Sequence, residues 1–287
     1  MHSIAHIINP FIAHPESDLF LAQPITFESL KNAKKKAEGL VNIELWSAQY
    51  KEDEEIVPDF INKTKHLTRS VLDFHLFETK TKLPLITDIL QRVYDESEAE
   101  YIIYTNVDIG LYPNFYVEVN NIINEGYDAF IINRRRLKAI YSSVNDLEKI
   151  YLDKGKSHPG FDCFVFHRQL FPKLLLNGIC LGVPFFEISF SNNLFAFSQR
   201  FKLFDNEYLT FHIGEEIFRK RAPREYYNYH QQRFWELAKK LKPHLSPKKI
   251  PYGHYPLLLR LLKWGLHPCF PIKWMLQLET KNLFSKR

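Results

Sequence analysis

Apolar runs separated by polar turns recur along the first half of the chain, and they come in two lengths. Short runs bounded by turn residues predict buried strands, and longer segments with apolar residues three or four positions apart predict helices. The predicted strands are 4–8, 41–46, 101–105 and 128–133. The predicted helices are 26–38, which follows a polar stretch at 14–24, then 83–94 and 113–125. Strands that alternate with helices predict a mostly parallel sheet with helices on both faces.

The second half of the chain carries fewer but more distinctive signals. Three further strand segments are predicted at 158–166, which opens with a turn, at 201–204 and at 208–211. Residues 181–197 are largely apolar and contain one acidic residue, Glu187. A carboxylate in so apolar a segment is unusual, because carboxylates are rarely buried unless they are paired. Glu187 is therefore either a functional residue or a residue on the polar side of an amphipathic helix.

Length and composition describe a folded domain. The chain has 287 residues, of which 45% are hydrophobic and 25% are charged, so it is long enough to bury a full core. Its three cysteines are widely spaced and form neither a disulfide framework nor a zinc-ligand pair. We find no signal peptide, no run of about 18 apolar residues and no glycine-rich phosphate loop. This favours a cytoplasmic protein and argues against dinucleotide oxidoreductases and P-loop enzymes.

Charge is distributed unevenly along the chain. Residues 217–287 contain 16 Lys and Arg against three Glu, a formal charge of +13, whereas residues 1–216 sum to −8. A basic region next to an acidic body indicates an anionic surface as its partner. Nucleic acid is not the expected partner, since no recognition motif accompanies the charge.

The basic region also contains a segment with membrane-like composition. Residues 255–276 combine leucines, two tryptophans and basic residues, which is typical of a helix that lies in a membrane interface. Pro268 and Pro271 would break such a helix into two pieces. The alternative is a helical segment that packs on the preceding domain.

The stretch with the clearest chemical content is Asn106-Val-Asp108, which directly follows the predicted strand 101–105. Two positions apart in extended backbone, the two polar side chains project to the same side. Polar groups at the carboxyl end of a buried parallel strand lie where open α/β sheets bind ligands. A carboxylate with a neighbouring oxygen ligand suits a divalent cation that carries phosphates. The alternative is that Asp108 only caps a helix that begins near Pro113.

The order of these parts resembles the GT-A class of nucleotide-diphosphate-sugar glycosyltransferases, and more closely a poorly characterised group of GT-A-like proteins. The resemblance is carried by Asn9-Pro10, by Tyr104-Thr-Asn-Val-Asp-Ile-Gly110, by Gly160-Phe-Asp-Cys-Phe-Val-Phe166, and by Glu187 and His212. It covers residues 1–215 and implies a catalytic domain with a GT-A-type, Rossmann-like α/β fold. Residues 216–287 lie outside it and are expected to form a basic, helical C-terminal extension.

The resemblance implies a role for each matching residue. In GT-A enzymes an Asp-x-Asp motif binds the nucleotide and a divalent metal, Mn²⁺ or Mg²⁺, and here the motif would be Asn106-Val-Asp108. Asn106 would face the ribose or bridge to the metal, and its amide can still form hydrogen bonds with hydroxyl groups. His212 matches the C-terminal histidine that often completes the metal coordination, so Asp108 and His212 are the implied metal ligands. Glu187 matches the acidic residue that acts as the base in many inverting members.

Further candidates follow from the chemistry of the reaction. A diphosphate leaving group is stabilised by positive charge, which Arg69 or Arg134 would supply through bidentate hydrogen bonds. An acceptor hydroxyl loses its proton to a carboxylate, and Glu187 or Asp162 would accept it. The remaining candidates for the donor site are Asn9, Pro10 and His158.

Several of these residues also have a purely structural explanation. Arg69 and Asp73 are four residues apart and would form an ion pair on a helix. His212 would be a packed or surface histidine. His158 would anchor a loop, and Asp162 would be a turn residue.

The predicted function is transfer of a sugar from a nucleotide diphosphate sugar to a hydroxyl acceptor, in glycan or cell-surface polysaccharide assembly. The expected acceptor is a glycan or a lipid-linked sugar, and the basic region would hold the protein peripherally on the inner face of the membrane. Two alternatives remain open. One is a nucleotidyltransferase that makes a sugar nucleotide, although its glycine-rich phosphate loop is missing. The other is a non-catalytic scaffold protein on a degenerate sheet.

Overall fold

A computed structural model describes residues 1–138, 140–213 and 223–284 of the chain. The strands within these residues are β1 (Ser3–Ile8), β2 (Asn42–Ser47), β3 (Asn62–Lys63), β4 (Tyr101–Thr105), β5 (Gly110–Leu111), β6 (Ala129–Ile132), β7 (Arg135–Leu137), β8 (Lys156–Ser157), β9 (Cys163–His167), β10 (Phe201–Phe204) and β11 (Thr210–Ile213). The α-helices are α1 (Asp18–Lys36), α2 (Ile86–Glu96), α3 (Phe115–Asn124), α4 (Leu147–Leu152), α5 (Phe186–Phe197), α6 (Arg224–Leu241), α7 (Leu257–Leu266) and α8 (Ile272–Phe284).

Seven of the strands form the central sheet, in the order β10-β6-β9-β4-β1-β2-β3. All neighbouring pairs are parallel except those of β9, which runs antiparallel to β4 and β6. The remaining four strands form a small sheet in the order β5-β11-β7-β8. The prediction of an α/β fold with a mostly parallel central sheet flanked by helices is confirmed.

The central sheet is buried on both faces, because alternate residues of each strand face opposite layers of helices. In β4, for example, Ile102 and Tyr104 belong to the core on the side of α2 and α5. Tyr101 and Ile103 belong to the core on the side of α1 and α3. An apolar residue is therefore required at nearly every position of such a strand. This is why near-continuous apolar runs such as 101–105 predicted strands correctly.

The first helix begins earlier than the sequence indicated. The prediction placed its start at Thr26, but α1 extends from Asp18 to Lys36 and includes Pro24. Ser17 is the N-cap, and its side chain accepts a hydrogen bond from the backbone N–H of Leu19. A proline inside a helix costs one hydrogen bond. Here the cost is offset by burial on the sheet, since Ala22 and Ile25 on either side of Pro24 are buried.

The C-terminal helices share a core with the rest of the protein. Phe234 of α6 and Trp274 of α8 are buried in the same cluster as Phe190 of α5. The indole N–H of Trp274 donates a hydrogen bond of 2.9 Å to Asn192 Oδ1 in α5. Packing on the preceding domain, which was one of the two alternatives for this region, is therefore present. The break at the two prolines is also present, since α7 ends at Leu266 and α8 begins at Ile272. Among the described helices, none has the length and apolar character needed to span a membrane.

Candidate functional site

The candidate residues lie along one edge of the central sheet. In the register of the sheet, Thr105 at the end of β4 and Ile132 at the end of β6 both pair with Cys163, the first residue of β9. Because β9 is antiparallel to its neighbours, its amino end lies at the same edge as their carboxyl ends. The segments that follow β4 and β6 and the segment that precedes β9 therefore converge. This edge carries Asn106, Asp108, Arg134, His158 and Asp162.

The small sheet brings Asp108 and His212 into contact. Strand β5 begins two residues after Asp108 and pairs antiparallel with β11, which contains His212. Nε2 of His212 lies 3.2 Å from Oδ2 of Asp108. The pairing depends on Gly110, since a Cβ added there would lie 2.2 Å from the ring of Phe211. Two short strands thus place the two residues for which the sequence predicted a shared role.

Asp108 does not cap a helix, so that alternative is wrong. Helix α3 begins at Phe115 with Asn114 as its N-cap, and β5 lies between Asp108 and the helix. Burial raises the pKa of Asp108, but the hydrogen bond and charge of His212 and the charge of Arg134 outweigh it, so the pKa is lowered overall. Asp108 is therefore an ionised carboxylate, and its Oδ2 contacts the imidazole of His212. Its other oxygen, Oδ1, is buried and has no hydrogen-bond partner among the described residues.

Asn106 is held by the strand that precedes it. Its Oδ1 accepts a hydrogen bond of 2.8 Å from the hydroxyl group of Tyr104, and its backbone oxygen accepts one of 3.1 Å from the N–H of Ile109. Burial, reinforced by the negative charges of Asp108 and Glu187, raises the pKa of Tyr104 well above its ordinary value. Tyr104 therefore stays protonated and fixes the orientation of the Asn106 amide. The nucleotide-binding role of Asn106 stays a prediction.

Arg134 and Asp162 form a buried ion pair. Nη1 of Arg134 donates to Oδ1 of Asp162, and the two side chains are 10% and 5% exposed. His158 lies beside them, with its Nδ1 3.9 Å from Oδ2 of Asp162. The same Nδ1 accepts a hydrogen bond of 2.9 Å from the N–H of Gly160, which shapes the turn before β9. The structure thus brings Arg134, Asp162 and His158 together, with the buried guanidinium group of Arg134 at the centre.

Glu187 lies in the first turn of α5, close to the same edge. Its charge raises the pKa of Tyr104 and also the pKa of the Cys269 thiol, so both groups lie within its electrostatic reach. The residue before the helix, Phe185, has a φ of +76°, a left-handed conformation that is strained for a bulky side chain. Strained backbone next to a site residue is common where a side chain must be aimed in a particular direction.

The other predicted donor-site residues lie nearer the outer strands. Asn9 follows β1, and its Nδ2 donates a hydrogen bond of 2.6 Å to the carbonyl oxygen of Ala48 after β2. Asn9 and Pro10 are both buried, so they close the gap between two strand ends. Arg69 forms a two-point ion pair with Asp88 in the first turn of α2, at 2.5 and 3.0 Å. Its proposed pairing with Asp73 is wrong, since Asp73 accepts a hydrogen bond from the N–H of Ser70 instead.

Sequence reasoning missed three residues near this edge. Asn133 directly follows β6 and is 1% exposed, yet neither atom of its amide has a hydrogen-bond partner among the described residues. Gln49, beyond β2, is fully buried and its Oε1 is likewise unpartnered. Cys269, between α7 and α8, lies 3.7 Å through its Sγ from the carbonyl oxygen of Pro159. For Asn133 the available signal was its place directly after a strand end; for Cys269 there was none.

The fit of a divalent metal can be judged from Asp108 and His212. Nε2 of His212 and Oδ2 of Asp108 lie 3.2 Å apart, so both atoms would be able to reach one divalent ion. However, the described residues contain no group of three His, Cys, Asp or Glu side chains that could hold an ion. A cation bound by two protein ligands suits the case in which phosphate oxygens supply much of the coordination, as Mg²⁺ often requires.

Comparison with known proteins gives structural similarity only. No protein-family model matches the chain, and no curated protein matches it. Among solved structures, S. aureus TarS 1-349 in complex with UDP-GlcNAc is similar, with a TM-score of 0.49 and 11% identity over 91% of this chain and 70% of that chain. The same protein in complex with UDP gives a TM-score of 0.48 and 8% identity over 92% of this chain and 78% of that chain.

A second protein with similar structure is glucosyl-3-phosphoglycerate synthase from Mycobacterium tuberculosis in complex with phosphoglyceric acid. Its TM-score is 0.45, with 11% identity over 84% of this chain and 80% of that chain. All of these TM-scores lie below 0.5 and all of these identities lie below 25%, so the similarities establish neither a family nor a reaction for this chain.

Proposed function

We propose that the protein transfers a sugar from a nucleotide diphosphate sugar to a hydroxyl group of a glycan or lipid-linked acceptor, in glycan or surface polysaccharide assembly. The observation that supports this most strongly is the contact of Asp108 with His212 at the edge that also carries Arg134. An ionised carboxylate, an imidazole and a buried guanidinium at the ends of parallel strands suit a diphosphate.

In this proposal the diphosphate lies between Arg134 and the Asp108–His212 pair. Arg134 is held by Asp162, so its charge is fixed in place before the substrate arrives. A divalent cation, Mn²⁺ or Mg²⁺, would be held by Asp108 and His212, and when bound it would neutralise charge that develops on the leaving diphosphate. The unpartnered amide of Asn133 would form hydrogen bonds with the sugar or the phosphates.

The transfer itself is a displacement at the anomeric carbon. The acceptor oxygen forms a bond to that carbon as the bond from the carbon to the diphosphate oxygen breaks, and the electron pair leaves with the diphosphate. The acceptor hydroxyl loses its proton to Glu187. Asp162 is the weaker candidate for this base, because its Oδ1 is already engaged by Arg134. Tyr104, which feels the charges of Asp108 and Glu187, stays protonated and only positions Asn106.

Calorimetric titration with UDP and GDP, each with and without Mn²⁺, tests the donor site. We expect one nucleotide to bind in the presence of Mn²⁺, and Asp108→Asn to abolish that binding. Asp59→Asn, at an exposed carboxylate in a turn, is the matched control and should bind as the unmodified protein does.

The same titration separates the alternatives. If the unmodified protein binds neither UDP nor GDP nor any other nucleotide under these conditions, the enzyme proposal fails and a non-catalytic scaffold is favoured. If incubation with a nucleoside triphosphate and a sugar phosphate releases pyrophosphate, while a nucleotide sugar is not consumed, the protein is instead a nucleotidyltransferase.

A further inference from the structure

Helix α7 presents a stripe of leucines to solvent. Leu258, Leu262 and Leu266 follow one another at intervals of four residues, so they lie on one face of the helix. They are 83%, 57% and 78% exposed. The opposite face of α7 is covered, since Trp264 is fully buried and Leu261 packs against the main core. The stripe is therefore the outward face of a helix whose inner face is already used.

The stripe continues onto α8. Ile272 and Leu276, again four residues apart, are 43% and 46% exposed. Ile272 lies against α7, because a Cβ added at Gly265 would lie 3.9 Å from Ile272 Cδ1. We call the combined surface the apolar stripe; its residues are Leu258, Leu262, Leu266, Ile272 and Leu276.

The surroundings of the apolar stripe are basic. The described part of the C-terminal region, 223–284, contains 11 Lys and Arg and three Glu. Lys273 on α8 is exposed beside Ile272, and Lys248 and Lys249 are exposed shortly before α7.

All three glutamates are engaged within the protein, and residues 223–284 keep a formal excess of eight positive charges. Glu225 accepts hydrogen bonds from the backbone N–H groups of Glu78 and Thr79. Glu236 pairs with Arg233, and the buried Glu279 pairs with Arg260. Among these, Glu279 is the single carboxylate of α7 and α8, and it is 4% exposed.

We propose that the apolar stripe binds the surface of an anionic phospholipid bilayer. The leucines would enter the boundary between headgroups and acyl chains, and the neighbouring lysines would contact lipid phosphates, the arrangement of interfacial amphipathic helices. The charges favour this partner over a second copy of the chain. An isologous dimer through the same face would place like charges of the two copies against each other.

The apolar stripe lies near the candidate site. The segment between α7 and α8 contacts the turn that carries His158 and Asp162: Cys269 Sγ lies 3.7 Å from the Pro159 oxygen, and the rings of His267 and Phe270 flank Phe161 at 5.4 and 5.7 Å between centroids. A bilayer against the stripe would therefore lie close to the sugar-transfer site, which suits a lipid-linked hydroxyl acceptor. This last step rests on the proposed function, whereas binding to the bilayer does not.

Flotation of the full chain with lipid vesicles, without any nucleotide, tests the proposal. Vesicles of phosphatidylcholine with phosphatidylglycerol are compared with vesicles of phosphatidylcholine alone. The test variant is the triple substitution Leu258→Glu, Leu262→Glu and Leu266→Glu. The matched control is the triple substitution Leu40→Glu, Leu76→Glu and Leu152→Glu, at leucines that are 56%, 95% and 85% exposed elsewhere.

We expect the protein to float with the anionic vesicles and not with the neutral ones. The test variant should lose binding by about tenfold or more, and the control by less than about twofold. Equal melting temperatures confirm that all three proteins are folded. Absence of flotation, equal flotation with neutral vesicles, or equal loss in both variants would overturn the proposal. Self-association that the test variant abolishes, without flotation, would assign the stripe to a second copy.

The outcome is separable from that of the sugar-transfer proposal. The test variant leaves the sheet edge untouched, so it should bind UDP or GDP as the unmodified protein does. Nucleotide binding without flotation removes the membrane proposal alone. Flotation without nucleotide binding removes the transferase proposal alone.

Discussion

Two groups of buried polar residues in this protein differ in how completely they are hydrogen-bonded. His6, in the middle of β1, is 1% exposed; its Nδ1 lies 2.8 Å from the hydroxyl of Tyr116 and its Nε2 lies 2.9 Å from Oγ1 of Thr105. At the carboxyl edge of the sheet, Asn133 is equally buried but both atoms of its amide lack a partner within the described structure.

The difference shows which of the two groups is still able to form hydrogen bonds with a ligand. A buried polar group without a partner costs about 1–3 kcal/mol, and a ligand that supplies the missing hydrogen bonds removes that cost. The His6 network is closed and requires nothing further. Along the sheet edge, Oδ1 of Asp108 and Nδ1 of His212 are open in the same way as the Asn133 amide. Hydrogen-bond satisfaction thus distinguishes the two groups where burial does not.

The largest effect on activity is expected for Asp108→Asn, which removes the negative charge among the sheet-edge residues that lack hydrogen-bond partners. Because this carboxylate would hold the cation that neutralises the leaving diphosphate, kcat/KM for sugar transfer should fall about a thousandfold. Release of nucleoside diphosphate from a nucleotide sugar is the measurement, with Asp59→Asn as the control. Activity within tenfold of the unmodified enzyme would place the leaving-group site elsewhere.

Glu187→Gln should lower kcat by about a hundredfold or more, because the acceptor hydroxyl would lose its base. The dissociation constant of the nucleotide should stay unchanged, since Glu187 is assigned to the acceptor and not to the donor. Glu148→Gln, at an exposed residue of α4, serves as the control. A weakened nucleotide affinity with unchanged kcat would assign Glu187 to donor binding.

Substitutions in the two polar groups should change stability in opposite directions. His6→Ala leaves the Tyr116 and Thr105 hydroxyls without their partner and opens a cavity, so the free energy of unfolding should fall by about 3 kcal/mol. Asn133→Leu replaces an unsatisfied amide by an apolar side chain of similar size, so it should raise that free energy by about 1 kcal/mol while sugar transfer falls. Urea unfolding measures both. A similar decrease in the free energy of unfolding in both variants would contradict the distinction between the two polar groups.

A smaller, graded effect is expected with pH. Burial lowers the pKa of His6 to about 3 and of His230 to about 4, both below the ordinary 6.5. The unfolded chain therefore takes up protons below pH 6.5 that the folded chain excludes, so stability is full above that pH and decreases below it. Each histidine removes up to about 1.4 kcal/mol per pH unit between pH 6.5 and its folded pKa. Urea unfolding from pH 7 to 5 checks this, and a flat profile would contradict it.

The central sheet could be predicted from the sequence because its strands need apolar residues on both faces, which makes each strand a visible run. The start of α1 could not, since Pro24 indicates a helix boundary and only burial on the sheet explains why the helix continues through it. The partner of Arg69 was mistaken for a similar reason. Asp88 lies in the next helix, and its approach depends on how the irregular segment between them folds.

The candidate site was predictable in its parts and not in its contacts. Asn106 and Asp108 could be placed from their position after a strand. The approach of His212 was expected only from a resemblance, because it depends on the pairing of two very short strands, β5 and β11. The contact of the C-terminal region with the candidate site was missed. Nothing local in the sequence connects Cys269 with the turn before β9.

The covering of α5 by the last helices has a consequence for synthesis of the protein. The side-chain hydrogen bond of Asn192 in α5 can form only after Trp274, 82 residues later, has been synthesised. Until that part of the chain has left the ribosome, the apolar surface that α6 and α8 later cover remains open to water. Nascent and prematurely terminated chains therefore expose an aggregation-prone apolar surface next to an otherwise assembled sheet. The packing of α6 and α8 on α5 therefore removes the need for chaperone protection of this surface.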